Sequence, residues 1–432
     1  MKFVADLHLH SKYSRACSQS LSLENLEAWA VKKGIQVLAT SDWTHPVWFL
    51  ELKNKLEQAE NGLYQLKQST KEVYFLPSTE ISSIYTQGGK QRRIHTLVFV
   101  PNLETAEKIN SQLVQLGANL KSDGRPIIGL SAKDLAKLVL EVEPKSLVIP
   151  AHAWTPWFSI FGSQSGFDTI EECFGELSDK IFAIETGLSS DPAMNWRVGN
   201  LDNKQILSFS DAHSLEKIGR EATVFDGELS YSGIYQAITK LPKETKETKI
   251  AFTVEFYPEE GKYHYTGHRN CGVKQTPEET AKLGTTCPVC GKKLTVGVIH
   301  RVEELATRSV DELNLVSNEF VKSQSFPHRP PYKKLVPLTE IIAQSLGLTE
   351  SSKEVLANYD NLIEKFGSEL SVLIKISLND LQGKTTDKII AGIEKVRKGE
   401  IFVDPGYDGV YGKVQIWSKS QAQGESSQMA LF

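Results

Sequence analysis

The stretch Lys2-Phe3-Val4-Ala5-Asp6-Leu7-His8-Leu9-His10 governs how the rest of the chain is read. Residues 2–5 are apolar and β-rich, and they run straight into an acid and two histidines. Spaced two apart, His8 and His10 fall on one face of an extended strand. Six more runs of this kind occur, at 35–40, 73–76, 94–100, 147–149, 181–184 and 205–209. The second leads into Ser41-Asp42-Trp43-Thr44-His45 and the third into Ser78-Thr79-Glu80. His95 opens the fourth. His152 follows the fifth, Glu185 the sixth, and Ser210-Asp211-Ala212-His213 the seventh. Helical periodicity lies between several of them. Leu23, Leu26, Ala30 and Val31 share a stripe between a Ser22 N-cap and Gly34, and further helices are expected at 103–116 and at 134–140 behind Ser131. Alternation of strands and helices to about residue 240 predicts parallel strands with helical crossovers, in a barrel or a doubly wound sheet. Carboxyl ends of such strands converge on one face, so these side chains are expected to meet in one pocket.

The expected metal ligands are His8, His10, Asp42, Glu80, His95, His152, Asp211 and His213, with Glu80, Asp211 and His213 closest to the chemistry. Asp6 and Glu185 read equally as ligands or as residues that orient a ligand histidine. Imidazole mixed with carboxylate suits zinc, manganese or iron better than calcium or magnesium. The donors outnumber one tetrahedral site, so two or three divalent ions are expected, with zinc, manganese or magnesium as the metals to test. Ions about 3.5–4 Å apart activate a water and stabilise a leaving oxygen, which is phosphoester hydrolysis chemistry.

His8-Leu9-His10, Ser41-Asp42, Glu80, His95-Thr96-Leu97, His152 and Ser210-Asp211-Ala212-His213, in this order, resemble the motifs of the PHP (polymerase and histidinol phosphatase) family. The resemblance covers about residues 1–240 and implies a distorted (β/α)7 barrel with a trinuclear metal centre. One departure stands out: Trp43 occupies the place of the family's usual second-motif histidine, and His45 reads either as its substitute or as a residue behind the ligands.

A second constellation follows a charged linker at 243–249. His268-Arg269-Asn270-Cys271 and Cys287-Pro288-Val289-Cys290-Gly291 have the spacing of a closed Cys3His zinc site, with His264 as the rival fourth ligand. Cys17 and Cys173 have no partners by pattern and read as packing residues. Helices are then expected at 303–315, 338–345, 352–366 and 386–397, around the basic loop Phe326-Pro327-His328-Arg329-Pro330-Pro331-Tyr332-Lys333-Lys334. The organisation expected is therefore a catalytic barrel (1–242), a zinc-binding module (250–300), a mainly helical C-terminal domain (301–417) and a polar tail (418–432).

Residues 287–305, Arg329 to Leu338, and Asp404-Pro405-Gly406-Tyr407-Asp408-Gly409-Val410-Tyr411-Gly412-Lys413-Val414 are similar to the endonuclease Q family of PHP-type DNA repair enzymes. That resemblance implies cleavage of DNA on the 5′ side of a deaminated base (uracil, hypoxanthine, xanthine) or an abasic site. Arg269, Arg329, Tyr332, Lys333, Lys334 and Tyr407 are the expected DNA contacts, by charge and by stacking. The tail ends Gln428-Met429-Ala430-Leu431-Phe432, where Gln428, Leu431 and Phe432 resemble the peptide by which bacterial repair proteins bind the replication sliding clamp. No Walker A motif is present, which excludes a motor. The rival readings are a PHP phosphatase acting on a small phosphomonoester and a non-catalytic, clamp-tethered DNA-binding adaptor.

Composition agrees with this division. At 432 residues and 40% hydrophobic the chain is long enough for two or three domains, and it is neither disordered nor fibrous. Five cysteines, three of them within 271–290, speak for a metal site over a disulfide framework. The net charge of -4 averages an acidic metal face against a locally basic 262–334 segment. With no long apolar run and no signal-peptide core at its start, the protein is expected in the cytoplasm, nucleoid-associated when acting on DNA.

Overall fold

Lys2–Asp6 lies at the centre of the largest sheet, because Phe3 and Ala5 are buried and both of its edges are paired. Val37–Ala39 runs parallel to it on one side and Ala222–Asp226 antiparallel on the other. The computed structural model describes residues 1–240 and 247–417. The expected clamp peptide, with Gln428, Leu431 and Phe432, lies outside the described residues. The central sheet has ten strands. Beyond Val37–Ala39 it continues through Tyr74–Leu76, Tyr64–Leu66 and Leu56–Gln58. Beyond Ala222–Asp226 it continues through Lys249–Glu255, Tyr332–Lys334, Val321–Ser323 and Leu315–Ser317. A four-stranded sheet (Ile127–Ile128, Ser78–Gln87, Lys90–Phe99, Leu147–Pro150) and the parallel pair Ala183–Glu185 and Gln205–Leu207 complete the barrel wall. Bonds between loops stitch these arcs together: Ala153 N–H to the Glu185 carbonyl (3.0 Å), and Leu9 bridged to Ala212.

Local chemistry sets the element ends. Ser22 caps Leu23–Lys33 by accepting the Asn25 N–H, and Gly34 ends the helix at φ 84°, a left-handed turn that glycine adopts without penalty. Leu23, Leu26 and Ala30 are buried, whereas Val31 is exposed and not part of the stripe. Ser131 caps Ala132–Val142, Ser352 caps Lys353–Phe366 and Thr386 caps Asp387–Lys398, each with a side-chain oxygen accepting a backbone N–H. The last two helices pack with Leu338–Leu346 around Ile341, Ile342, Val355, Leu362, Ile389 and Ile393, in a cluster that also takes in Ala222 and Val254 of the central sheet.

Three expectations are corrected. The sheet is mixed: Ser78–Gln87 and Lys90–Phe99 form an antiparallel hairpin, and Lys90–Phe99 is antiparallel to Leu147–Pro150. Glu80 and His95 therefore sit inside strands, not at strand ends. Ala222–Asp226 and Lys249–Glu255 are barrel-sheet strands that the motif pattern did not mark. The helix expected at 303–315 is Val298–Leu305, which stops before Ser309; a 3-10 turn at Asp311–Leu313 and the strand Leu315–Ser317 follow. Among the described residues no helix is long and apolar enough to cross a membrane.

Candidate metal centre

Two groups of three donors lie at one end of the barrel: His8, His10 and Asp211, and Glu80, His95 and His152. Glu80 joins them. Its Oε2 lies 3.3 Å from His10 Nε2 and 3.6 Å from His8 Nε2. Its Oε1 lies 2.7 Å from His95 Nδ1 and 3.0 Å from His152 Nε2. Asp211 Oδ1 closes the first group at 3.1 Å from His10 Nε2 and 3.5 Å from His8 Nε2. Donors bonded to one ion at about 2.0–2.2 Å stand about 3.3 Å apart in a tetrahedron, so the spacing fits a metal. His8 Nε2 is buried without a hydrogen-bond partner, which is a donor waiting for an ion rather than for a proton acceptor.

Each imidazole has its other nitrogen, or its ring, held by a neighbour. His8 Nδ1 faces Glu185, His10 Nδ1 faces Asp42 at 3.3 Å, and His152 Nδ1 faces Thr155 Oγ1 at 3.2 Å. Such partners orient the ring and raise its basicity. His213 Nδ1–H donates to the Asp211 carbonyl at 2.9 Å, leaving Nε2 as the acceptor, and its ring is 4.6 Å from that of His10. His213 belongs to neither group of three.

Asp42, expected among the ligands, stands outside both groups. Its Oδ2 accepts the Ser11 N–H (2.7 Å), the Ser11 hydroxyl (2.6 Å) and the Ser14 hydroxyl (2.8 Å), and its Oδ1 faces His10. Asp6 accepts the Ser210 and Gly219 N–H groups and so supports the Asp211 loop. His45 stacks on Tyr13 at 4.5 Å and starts the helix Pro46–Lys55. Trp43 is fully buried.

Backbone strain concentrates here. Asp42 (φ 38°), His152 (φ 30°) and Asp211 (φ 47°) all occupy the left-handed region that non-glycine residues avoid. The surroundings enforce it: a Cβ on Gly187 would collide with that of His152, and a Cβ on Gly124 would collide with the Asp42 carboxylate.

The electrostatics are those of a compensated cluster. Burial alone would lower the His8 pKa, but the carboxylates of Glu185, Asp211 and Glu80 push it well above its ordinary value. Burial works against an ionised Glu80, yet His95 and Arg125 hold its carboxyl well below the usual range. His95 is pulled down to about 4, chiefly by burial. Sequence reasoning missed Arg125, whose Nη1 lies 3.0 Å from Glu80 Oε2. It sits on an irregular loop without a motif, so no sequence signal marks it.

A cavity of about 410 Å³ opens beside His95 and His152, lined also by Arg93, Trp157, Phe158 and Tyr263. The Trp157 and Tyr263 rings meet edge to face at 5.5 Å. This is an aromatic recess next to the donor cluster.

The Cys/His module brings His268, Cys271, Cys287 and Cys290 together, with donor atoms within 4.8 Å of one another, a Cys3His set that fits zinc. His264 is buried outside the group. Arg301 ties the module's far end to the barrel through the Phe161 carbonyl (3.1 Å) and Asp168.

The expected DNA contacts are largely internal. Arg329 donates to the carbonyls of Lys204 (3.0 Å) and Leu201 (2.9 Å). Tyr332 is 3% exposed and packs on Trp196, and Lys333 is 6% exposed. Lys334 pairs with Asp191 at 2.8 Å. Tyr407 is half-buried against Gly267. Arg269 alone of the six is exposed, its backbone N–H bonded to Asp408. Of the loop's cations, Arg329 and Lys334 thus pair with the protein's own acceptors, and Lys333 lies over the Phe320 ring.

The fold and the clustered donors define a PHP-like α/β protein with a Cys/His module and a helical C-terminal part. Residues 337–400 match the model of the MJ0043 C-terminal domain family. The MJ0043 protein of Methanocaldococcus jannaschii is 33% identical over 285 residues, which are 64% of this chain but only 34% of that longer protein. YqxK of Bacillus subtilis is 30% identical over 435 residues, covering 96% of this chain and 99% of YqxK. The lesion-specific endonuclease PfuEndoQ of Pyrococcus furiosus superposes with a TM-score of 0.81 at 28% identity, over 99% of this chain and 98% of that one. An endonuclease Q bound to a 27-mer duplex with an abasic lesion at its active site gives 0.82 at 29% identity, covering 98% of each chain. The chain belongs to the endonuclease Q family.

Proposed function

We propose that this protein is a metal-dependent repair endonuclease that hydrolyses the DNA phosphodiester on the 5′ side of a deaminated base or an abasic site. The observation that carries this reading is the Glu80 carboxylate shared between two three-donor groups, with an aromatic recess alongside. Divalent ions held there supply an activated water and charge neutralisation at the leaving oxygen. Glu80 sets the distance between the two groups. Glu185 and Asp42 fix the rings of His8 and His10 so that both Nε2 atoms face the centre. Asp211 supplies a carboxylate that His8 and His10 keep ionised against its burial. His213 contributes a free Nε2 at the rim.

A deaminated base differs from a normal one at its Watson–Crick edge, so the nucleotide must leave the stack to be read. The recess of Trp157, Phe158 and Tyr263 provides the apolar faces to receive it, and Arg93 adds charge for the adjoining phosphate. The likeness to a family member crystallised on abasic DNA supports this substrate class. The Cys3His module holds a structural zinc, and the 428–432 peptide tethers the enzyme to the sliding clamp.

The test is incubation of the purified protein and manganese, magnesium or zinc with end-labelled duplexes carrying one uracil, hypoxanthine or abasic site. A nick 5′ to the lesion, lost in Asp211→Asn, supports the reading. Phosphate release from small esters alone makes the protein a phosphatase, and lesion binding without cleavage makes it an adaptor. Clamp pull-down with and without residues 428–432 tests the tether.

A further inference from the structure

We propose that Arg125 takes the place of a third metal ion: the centre holds two ions, and the guanidinium of Arg125 binds the scissile phosphate as the third cation. This rests on the phosphoester reading above and adds a catalytic residue to it.

A third ion lacks a ligand set: His213 Nε2 is the donor left at the rim, and among the described residues no two further donors gather with it. Asp42 spends both oxygens on Ser11, Ser14 and His10, all as hydrogen bonds. Trp43 is apolar and buried where a second-motif imidazole would stand, and His45 is turned onto Tyr13. Among the described residues no third donor group forms in the barrel. Arg125 instead brings a fixed positive charge to the same carboxylate oxygen that faces His8 and His10.

The loop that carries it is held rigidly. Gly124 N–H donates to the Tyr13 carbonyl at 3.0 Å, and the Gly124 carbonyl accepts from Thr44 at 2.9 Å. The Pro126 carbonyl accepts the Ser82 N–H at 3.0 Å. Any side chain at 124 would strike Asp42 and Ser14, so the close approach requires glycine. The Arg125 side chain makes one hydrogen bond, to Glu80, and is 26% exposed. A guanidinium has five N–H donors in a planar fork that fits phosphate oxygens, so the remaining donors are available to substrate. Charge developing on a phosphoryl group in the transition state is what such a preorganised cation stabilises.

The experiment combines metal counting by mass spectrometry, calorimetric titration of the zinc-loaded protein with inorganic phosphate, and steady-state nicking, for wild type, Arg125→Ala and Arg125→Lys. Wild type should hold three ions per chain, two in the barrel and one in the Cys/His module. Arg125→Ala should keep all three, bind phosphate roughly tenfold or more weakly, and lose about 10²–10³-fold in kcat with a smaller change in KM. Arg125→Lys, which keeps the charge, should fold, keep the ions and fall between the two. Four ions in wild type would overturn the proposal. So would loss of a barrel ion in either variant, which would make Arg125 only a support for Glu80, or unchanged phosphate affinity in Arg125→Ala. If wild type nicks no lesion duplex, the endonuclease reading fails by itself, while the ion count and phosphate titration still decide the role of Arg125.

Discussion

His8 Nδ1 lies 2.8 and 3.0 Å from the two oxygens of Glu185, and the same carboxylate accepts the His152 N–H at 2.7 Å. One buried acid outside the donor groups thus orients a histidine of each group. The centre is a unit whose two halves share Glu80 within and Glu185 behind.

Glu185→Gln keeps the shape of this support and removes its charge. Metal affinity should fall about 10–100-fold, as for other outer-shell carboxylates, with the circular dichroism spectrum unchanged. Competition against a chelating dye measures it. Affinity equal to wild type would show that the Glu185 charge does not act through His8.

Cys287→Ser should remove one bound ion per chain and leave the barrel ions in place. Cys287 is buried, and its N–H and carbonyl brace the knuckle through Lys292 and Gly291. A closed thiolate site contributes folding energy directly. Limited proteolysis should therefore cut the 262–295 segment of the variant faster than that of wild type. An unchanged ion count would refute a zinc site there.

Trp157→Ala should weaken binding of DNA carrying a deaminated base by about 5- to 150-fold, the loss expected for one base–aromatic stack of about 1–3 kcal/mol. Undamaged DNA, which inserts no base, should be affected far less. Fluorescence anisotropy on paired duplexes with and without the lesion reports the difference. Equal losses on both duplexes would place Trp157 on the backbone path and not in the base recess.

Stability should depend on pH through Glu260, whose carboxyl is pushed up to about 8, first by burial and then by Glu340, Glu350 and Glu259, with Lys217 opposing. The folded value lies above the unfolded one, so the native state binds the extra proton. The contribution is fully present below about pH 4.5 and is lost as pH rises through about 8. Glu260→Gln should match wild type in Tm at pH 4 and exceed it at pH 9. A Tm difference that does not change with pH would contradict this account.

The donor residues were legible because their signal is local. Period-two spacing at His8 and His10, and the ordered recurrence of acids and histidines after apolar runs, needs no knowledge of distant contacts. The Cys/His module is legible for the same reason, since two short loops carry all four donors. Helix caps such as Ser22 and Ser131 are read within four residues.

The surroundings of the expected DNA contacts were not legible, because composition does not record where a charge points. Arg329, Lys333 and Lys334 look like a basic surface in one dimension, yet the fold turns them against Lys204, Phe320 and Asp191. The antiparallel hairpin holding Glu80 and His95 was misread too, since strand direction is set by pairing partners far along the chain.

Residue order alone says which residue types meet at the centre, since the donors and the ends that display them are encoded locally. Their roles come from contacts that the fold alone creates. Whether a carboxylate faces the imidazoles of both donor groups, as Glu80 does, or is consumed by hydroxyls and backbone N–H groups, as Asp42 is, depends on neighbours tens of residues away. Arg125 enters the centre for the same reason: a loop strapped across Tyr13, Thr44 and Ser82 carries it there, and no local pattern encodes that path.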